Sequence, residues 1–344
     1  MSDISKNDFD ANLVIGAKKF WESTGRQEHL AITEEMRYFT RVGPDGVLRS
    51  KDECFENVEV CPLCSSSMVY YFLERLVISI FRCKECGFGF QNPRVKYSVV
   101  KEIYKDEKTT AASFETEEQK KMDRIKYKYG YKKIKSALRT DMHTVLDIGC
   151  GNGMSLDIAL EEEWKHAVGI EPNKNYKYHK RPCKKIINED ITSFSTGEEE
   201  IDINININAI MCWDVLEHIY DLDGFMEKVK KLLISGGVFL VMVPNLDSLA
   251  SRLIRERSST FCWEHVNYFT KTTLETLLLK NSFEIVESET VISEIGNINN
   301  YLAFDDPYTG DSEGKILFDF LNPDLIHDKF LGSRLLVIAR KLSN

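Results

Sequence analysis

The sequence contains no hydrophobic run long enough to cross a membrane. Its longest apolar runs, such as GVFLVMV at 237–243, have the length of a buried strand. The first residues, MSDISKNDFDANL, are polar and acidic, so we expect no secretory signal. With 344 residues, 43% hydrophobic and 29% charged, the chain is expected to be globular, with one large domain and appendages or with two domains.

An excess of positive charge is also missing, because the formal net charge is −9. This acidity disfavours general affinity for nucleic acid. The stretch from Lys120 to Arg139 is the exception, with nine basic residues, one acid and three interleaved tyrosines, Tyr127, Tyr129 and Tyr131. It is either a surface for a phosphate-bearing substrate or a solvated helix whose lysines surround a buried tyrosine stripe, and we favour the second interpretation.

The nine cysteines do not form the even set that a secreted disulfide framework needs, so we expect a reducing, cytoplasmic compartment. Four of them form two CxxC pairs separated by eighteen residues. Two such pairs supply four thiolates for tetrahedral zinc, and a closed four-thiolate site is structural because it leaves no open position. A redox dithiol is the alternative for either pair. The predicted zinc ligands are Cys61, Cys64, Cys83 and Cys86.

The stretch VLDIGCGNG at 145–153 predicts a strand that ends in a glycine loop ahead of a helix. It lacks the dinucleotide fingerprint, because the place of the last glycine is taken by Met154. Asp147 would repel a pyrophosphate and favours a ligand with positive charge. Glu171 follows a second apolar strand, at the place where an acid accepts the hydroxyls of an adenosine ribose.

These motifs resemble the cofactor site of class I S-adenosylmethionine-dependent methyltransferases. The resemblance extends to INEDI at 187–191 and MCWDVLEHI at 211–219, and it covers about the last two-thirds of the chain. It implies S-adenosylmethionine as the cofactor and assigns a group of binding residues to it. These are Asp147, Gly149, Cys150, Gly151, Gly153, Glu171, Asp190, Ile191, Trp213, Asp214 and Tyr104.

Strand and helix patterns alternate from Thr144 onward, which predicts an α/β fold with a doubly wound sheet. The resemblance implies a seven-stranded Rossmann-like methyltransferase sheet of order 3-2-1-4-5-7-6 with the last strand antiparallel. We place the strands at 144–149, 167–171, 185–188, 208–213, 237–243, 283–291 and 334–340. The expected domains are an extension of unknown role at 1–52, a zinc ribbon at 53–97, a helical linker or lid at 98–143 and a methyltransferase domain at 144–344 with an insert at 296–331.

Two histidines are candidates for proton transfer to or from the acceptor. His265 lies in FCWEHVNYFT, a segment that resembles the HxNYFT element of many small-molecule and sugar-directed family members. His265 is either a general base or a residue that fixes its loop. His218, in DVLEHI, is a weaker candidate, since a bond to neighbouring backbone accounts for it equally well.

The leading hypothesis is a methyltransferase for a small-molecule or carbohydrate-type acceptor, such as a nucleotide sugar or a glycan precursor, acting by in-line displacement with His265 as base. An RNA methyltransferase that uses the ribbon and the basic helix is the alternative within enzymes, although the acidity makes nucleic acid an unexpected partner. A non-catalytic cofactor-binding scaffold is the alternative from another class. The oligomeric state is left open.

Overall fold

The computed structural model describes residues 4–10, 17–24, 34–105, 116–174, 176, 181–191, 206–310, 317 and 320–343. Elements ahead of the large sheet, in chain order, are α1 (Asn7–Asp10), α2 (Ala17–Thr24), β1 (Thr40–Val42), β2 (Leu48–Ser50), β3 (Phe55–Glu56), β4 (Val69–Arg75), β5 (Ile78–Cys83), β6 (Gly89–Gln91), β7 (Arg94–Val95), α3 (Tyr97–Lys105) and α4 (Glu117–Ala137). From the large sheet onward they are β8 (Thr144–Ile148), α5 (Met154–Glu161), β9 (His166–Ile170), β10 (Lys184–Ile187), β11 (Ile207–Trp213), α6 (Leu222–Leu232), β12 (Leu233–Pro244), α7 (Leu249–Ile254), β13 (Asn267–Tyr268), α8 (Lys271–Lys280), β14 (Phe283–Val291), α9 (Ile295–Ala303), α10 (Pro323–Asp328) and β15 (Arg334–Lys341). No helix in these ranges has the length and apolarity needed to cross a membrane.

The large sheet has seven strands in the order β10-β9-β8-β11-β12-β15-β14. Strand β15 is antiparallel to both of its neighbours, β12 and β14, while β8 to β12 run parallel. The predicted strand order and antiparallel last strand are therefore confirmed. Predicted strand ends agree to within one residue except at β12, which begins at Leu233 rather than at 237. Leu233 still pairs with Ile207 of β11, and the register between the two strands shifts before the next pair, Ala209↔Val238.

Both faces of the sheet are covered. Every residue of β8 and β11 is buried, as expected for parallel strands with helices on each side. Helix α4 packs on one face through Tyr129, Tyr131 and Ile134, which belong to the same hydrophobic cluster as the strand residues. The tyrosines at 129 and 131 are thus core residues, and Lys121, Lys132 and Lys135 of α4 are exposed, whereas Lys126 and Tyr127 are only partly buried.

The two cysteine pairs sit at the ends of a small four-stranded antiparallel sheet of order β13-β6-β5-β4. Each pair forms a tight turn that closes through a backbone hydrogen bond, from Ser65 to Cys61 and from Gly87 to Cys83. Ser65 and Gly87 both have positive φ, 59° and 79°, and a glycine adopts such a turn without strain.

The ribbon sheet is completed by a strand from the other end of the chain. Strand β13, in the HVNYFT segment, pairs with β6 through Asn267↔Phe90 and Tyr268↔Gly89. The segment at 53–97 therefore shares its sheet with the region predicted as the methyltransferase domain. This pairing could not be predicted from spacing, since about 175 residues separate the two strands in sequence.

The described N-terminal helices pack on the segment predicted as a late insert. The Trp21 indole donates to the Asn297 side chain of α9 at 2.8 Å, and the Asp10 carboxylate lies 2.8 Å from His327 of α10. All four side chains are buried. The N-terminal helices and the insert thus form a common layer at one edge of the large sheet.

Candidate functional site

The glycine loop joins β8 to α5 in the way that the sequence predicts. Gly149, Gly151 and Gly153 have positive φ values of 77°, 50° and 77°, and Gly153 is the N-terminal cap of α5. An added Cβ at Gly149 would overlap the Val215 side chain, whereas one at Gly151 would meet only the Tyr176 ring, at 3.9 Å. The loop therefore needs glycine both for its left-handed backbone and for close contact.

A cavity of about 440 Å³ lies at the carboxyl ends of the central strands, beside this loop. Ligands of open α/β sheets bind at such a position, and the volume is in the range of small-molecule sites. Most of the predicted cofactor residues line it. They are Gly149, Gly151, Glu171, Asp190, Ile191, Trp213, Asp214 and Tyr104.

Glu171 follows β9 and presents a buried carboxylate to the cavity. Its Oε2 accepts a hydrogen bond from the Gly151 backbone at 2.9 Å, and its Oε1 accepts one from the Asn173 backbone at 2.9 Å. Burial raises its pKa, and the two backbone donors oppose that rise. Each carboxylate oxygen has a second lone pair, so both can still accept a hydrogen bond from a ligand hydroxyl.

Three predicted cofactor residues are not among the residues that line the cavity: Asp147, Cys150 and Gly153. The thiol of Cys150 packs against Gly169 of β9, and Gly153 lies against Ile186 of β10. Asp147 is buried, with Oδ1 lacking any hydrogen bond among the described residues, and burial raises its pKa to about 7. These residues shape the loop, and Asp147 places a titratable charge close to it.

Helix α4 supplies a wall of the cavity that the sequence did not reveal. Gln119, Asp123, Lys126 and Tyr127 line it, and the Tyr127 and Trp213 rings are in edge contact at 5.7 Å. The sequence signal for this wall was that polar residues of α4, such as Asp123 and Lys126, lie close in sequence to Tyr127. Composition alone could not separate cavity-lining from solvated positions.

A second cavity of about 300 Å³ adjoins the first. The two share a common boundary formed by Gln119, Asp123, Lys126, Asp214, His218 and Glu264. Its far side is apolar, with Phe9, Phe20 and Trp21 from the N-terminal helices. A ligand in the first cavity and a ligand in the second would therefore meet at this boundary.

Both predicted histidines lie in the second cavity, with ring centroids 4.9 Å apart. The Nδ1 atom of His218 is 2.9 Å from the Glu264 carbonyl, and that of His265 is 2.7 Å from the Thr260 carbonyl. Since carbonyls only accept, both Nδ1 atoms carry the proton and both Nε2 atoms keep a lone pair. Burial lowers the pKa of His265 to about 3 and also lowers that of His218, so both rings are neutral near pH 7.

Glu217 is a site residue that sequence reasoning missed. Its side chain is 1% exposed, and neither carboxyl oxygen has a hydrogen-bond partner among the described residues. Its Oε1 lies 3.9 Å from Nε2 of His265, and burial raises its pKa well above the usual value. The available signal was the repetition of Glu-His, as Glu217-His218 after β11 and Glu264-His265 in the later loop.

The loop that carries His265 is held from the ribbon sheet. The Gln91 amide of β6 is fully buried and donates to the carbonyls of Cys262, Trp263 and His265 at 3.0, 3.0 and 2.8 Å. The Asn267 amide in turn donates to the Ile219 carbonyl at 2.6 Å, next to His218. Position and orientation of both histidines therefore depend on backbone contacts between distant parts of the chain.

The four ribbon cysteines form one cluster. The Sγ atoms of Cys61 and Cys86 are 3.6 Å apart, and those of Cys64 and Cys83 are also 3.6 Å apart. Tetrahedral zinc with Zn–S bonds of ~2.3 Å places its sulfur ligands ~3.8 Å apart. The cluster thus has the donor set and the dimensions of a structural zinc site.

The chain is similar to known methyltransferases over part of its length. A curated protein of Mycolicibacterium smegmatis, described as a probable S-adenosylmethionine-dependent methyltransferase, is 27% identical over 104 residues, which cover 29% of this chain and 38% of that protein. The chain thus spans well under half the length of that relative. Solved S-adenosylmethionine-dependent methyltransferases are also similar: one from Archaeoglobus fulgidus has 17% identity, TM-score 0.42 and coverage of 63% of this chain and 94% of its own. One from Mesorhizobium loti has 15% identity, TM-score 0.41 and coverage of 61% and 97%.

A sequence profile for the methyltransferase domain matches residues 105–288, which is more than half of the chain. The matched region contains β8 to β12, the glycine loop, Glu171 and both histidines. It stops short of β15 and begins after the ribbon. The chain belongs to the methyltransferase-domain family.

Proposed function

We propose that this protein is an S-adenosylmethionine-dependent methyltransferase that acts on a small-molecule or carbohydrate-type acceptor. The observation that carries the proposal is the pair of adjoining cavities. One is lined by the glycine loop and Glu171, and the other holds His218 and His265. A donor and an acceptor placed in them would meet at the shared boundary, where an in-line displacement requires them.

The residues of the first cavity fit the cofactor chemically. The free lone pairs of Glu171 suit the two ribose hydroxyls, and the segment with Asp190 and Ile191 suits the adenine ring. Asp147 and Asp214 provide negative charge for the cationic methionine portion. Tyr104, from α3, lines the cavity from the opposite side and would exclude water.

When bound, the cofactor supplies a sulfonium-linked methyl group. The residues at the shared boundary would hold an acceptor atom in line with the carbon–sulfur bond, so that this bond would break as the methyl group is transferred and an acceptor O–H, N–H or C–H would give up its proton. Nε2 of His265 has the lone pair to receive that proton, although a pKa of about 3 makes this imidazole a weak base near neutral pH. Most of the rate enhancement would then come from positioning and from exclusion of water.

The chemistry of the second cavity supports a small polar acceptor. Its volume of about 300 Å³ accommodates a single sugar or a molecule of similar size, and its wall combines carboxyl, guanidinium and aromatic groups. An RNA acceptor has less support, because Tyr129 and Tyr131 of the basic helix are buried and therefore not available to stack on bases.

We further propose that the four-cysteine cluster binds structural zinc. The ion would hold the turns that begin β4 and end β5, and through β6 it would hold Gln91 beneath the His265 loop. All four coordination positions would be filled by thiolates, so the ion would have no part in methyl transfer. A role in folding and positioning is what this arrangement supports.

Binding and product formation test the proposal. Isothermal titration should show one molecule of S-adenosylmethionine bound per chain, and Glu171→Ala should weaken binding about 10- to 100-fold, because hydrogen bonds to a charged group are lost. The matched control is Glu227→Ala, which removes an exposed carboxylate of α6.

Incubation of the protein with labelled cofactor and extracts fractionated by size should then yield S-adenosylhomocysteine and a labelled acceptor. Labelling of small or carbohydrate fractions is the expected result. Label in RNA alone would support the alternative enzyme, and cofactor binding without any product would support the scaffold.

A further inference from the structure

Three side chains with metal-binding chemistry converge in the second cavity: Glu217, His218 and His265. One ligand atom from each lies within 4.8 Å of the other two, and Nε2 of His265 is 3.9 Å from Oε1 of Glu217. Two come from the short helical turn after β11 and one from the loop before β13. The fold thus brings His265 next to two adjacent residues that precede it by 47 and 48 positions in the sequence.

The two imidazoles are oriented as metal-binding histidines are. Each donates its Nδ1–H to a backbone carbonyl, His218 to Glu264 and His265 to Thr260. Such an outer hydrogen bond fixes the tautomer and the ring direction and leaves Nε2 as the donor to a metal.

The Glu217 carboxyl group has no hydrogen-bond partner in the part of the chain that the structure describes. Both of its carboxyl oxygens are buried without a hydrogen bond among the described residues, although a buried carboxyl group is costly unless it is paired or bound to a cation. No repacking of neighbours is needed to make it available, because nothing in the described part of the chain occupies these oxygens. The side chain has the properties of a ligand whose ion is not part of the polypeptide.

The basic groups closest to Glu217 already have acidic partners: Arg334 lies 3.0 Å from Asp214, and Lys126 lies 3.6 Å from both Asp123 and Asp214. Glu264 and Glu294 also line the cavity. Arg334 and Lys126 are therefore engaged by aspartates rather than by Glu217, which leaves the Glu217 carboxyl group to a cation.

We propose that Glu217, His218 and His265 bind a divalent transition-metal ion at the boundary between the two cavities. Two imidazoles and one carboxylate form a set that suits zinc, manganese, iron or cobalt and leaves positions open for an exogenous ligand. Metal–ligand distances of ~2.0 to 2.2 Å require the donor atoms to close by roughly 1 Å, which side-chain rotation supplies.

This inference rests on the proposed function only for the nature of the open positions, where an acceptor oxygen or nitrogen would bind. There the ion would lower the pKa of the acceptor and ease loss of its proton. In this arrangement Nε2 of His265 would be a metal ligand and would not act as the base. Metal dependence of methyl transfer separates these two roles, whereas metal binding itself is measured without any turnover.

Manganese provides the probe, after one equivalent of zinc per chain has been added, which the four thiolates of the ribbon take in preference to nitrogen and oxygen donors. Loss of the electron paramagnetic resonance signal of free Mn²⁺ should report one ion bound per chain, and Glu217→Gln and His265→Asn should each weaken that binding about 100-fold. The matched control is His166→Asn, because His166 and His143 form a second histidine pair, with ring centroids 5.2 Å apart, that has no carboxylate within metal-binding reach among the described residues. Circular dichroism and thermal melting check that each variant is folded, and His218→Asn replaces any variant that is not.

Cobalt identifies the ligands independently. Co²⁺ at the proposed site should give weak visible bands typical of nitrogen and oxygen ligands, without the thiolate charge-transfer absorption that displacement of zinc from the ribbon would produce. Absence of Mn²⁺ binding, equal binding by Glu217→Gln, or a thiolate spectrum would each overturn the inference. None of these results affects cofactor titration, so a failure of the metal site and a failure of the proposed function are distinguishable.

Discussion

Replacing single glycines of the loop with alanine separates the two reasons for which glycine is needed there. Gly149 and Gly151 both have positive φ and both line the first cavity. Only at Gly149 would the new methyl group overlap a neighbour, the branched side chain of Val215. At Gly151 the nearest atoms belong to the Tyr176 ring, at an ordinary contact distance of 3.9 Å.

The expected losses in free energy of unfolding follow from these contacts. The left-handed backbone costs an L-residue about 1 to 2 kcal/mol at either position. Overpacking against a stiff, β-branched neighbour adds about 1 to 3 kcal/mol at position 149 only. We therefore expect Gly149→Ala to destabilise the protein by about 2 to 5 kcal/mol and Gly151→Ala by about 1 to 2 kcal/mol. The gain from a less flexible unfolded chain is common to both variants and cancels in their difference.

Urea unfolding followed by tryptophan fluorescence measures both values, and cofactor titration gives a second readout. The methyl group at position 151 projects toward ligand space, so Gly151→Ala should lose affinity for the cofactor while remaining the more stable of the two variants. Equal destabilisation, or a larger loss for Gly151→Ala, would show that contact with Val215 does not constrain the loop.

Three further predictions concern the support of the site. Gln91→Ala should destabilise the protein by about 2 to 4 kcal/mol, since it strands buried carbonyls and leaves a cavity, and it should lower kcat more than it weakens cofactor binding; urea unfolding and steady-state kinetics check this. Asp147 has a pKa raised to about 7, so its stabilising protonated form is lost as pH rises from about 4 through 7. The free energy of unfolding of Asp147→Asn should therefore depend less on pH. It should exceed that of the wild type by an amount on the order of 4 kcal/mol at pH 8 and equal it near pH 4, as measured by urea unfolding at both pH values. Removal of zinc from the ribbon with a strong chelator should lower the melting temperature and expose the His265 loop to protease, and readdition of zinc should reverse both effects.

The parts of the fold that were predictable depend on local signals. The strand, glycine loop and helix at 145–161 are contiguous, and alternation of strand and helix fixes a parallel sheet through its short, right-handed connections. Glu171 was accessible in the same way, because it lies directly after a buried strand. The four cysteines were accessible because thiolate spacing is a property of the chain itself.

The parts that were not predictable depend on contacts between distant residues. Gln91 is separated by 171 residues or more from the carbonyls that it binds, and nothing around it in sequence marks it as buried. Glu217 is adjacent to the predicted residue His218, but a glutamate on a short turn is usually exposed. Only the structure reveals that its carboxyl group is buried and has no hydrogen bond among the described residues. In the same way, burial assigns Tyr129 and Tyr131 to the core, whereas their sequence context allowed a binding surface.

The pairing of β13 with β6 has a consequence for how this protein can change during evolution. The matched family region begins at residue 105, but the backbone that carries His265 is hydrogen-bonded to residues 89–91. A lineage that lost the ribbon would leave β13 as an open edge and the carbonyls around His265 without donors. We therefore expect a related chain without the four cysteines to carry a rebuilt 262–268 loop, with another strand beside it.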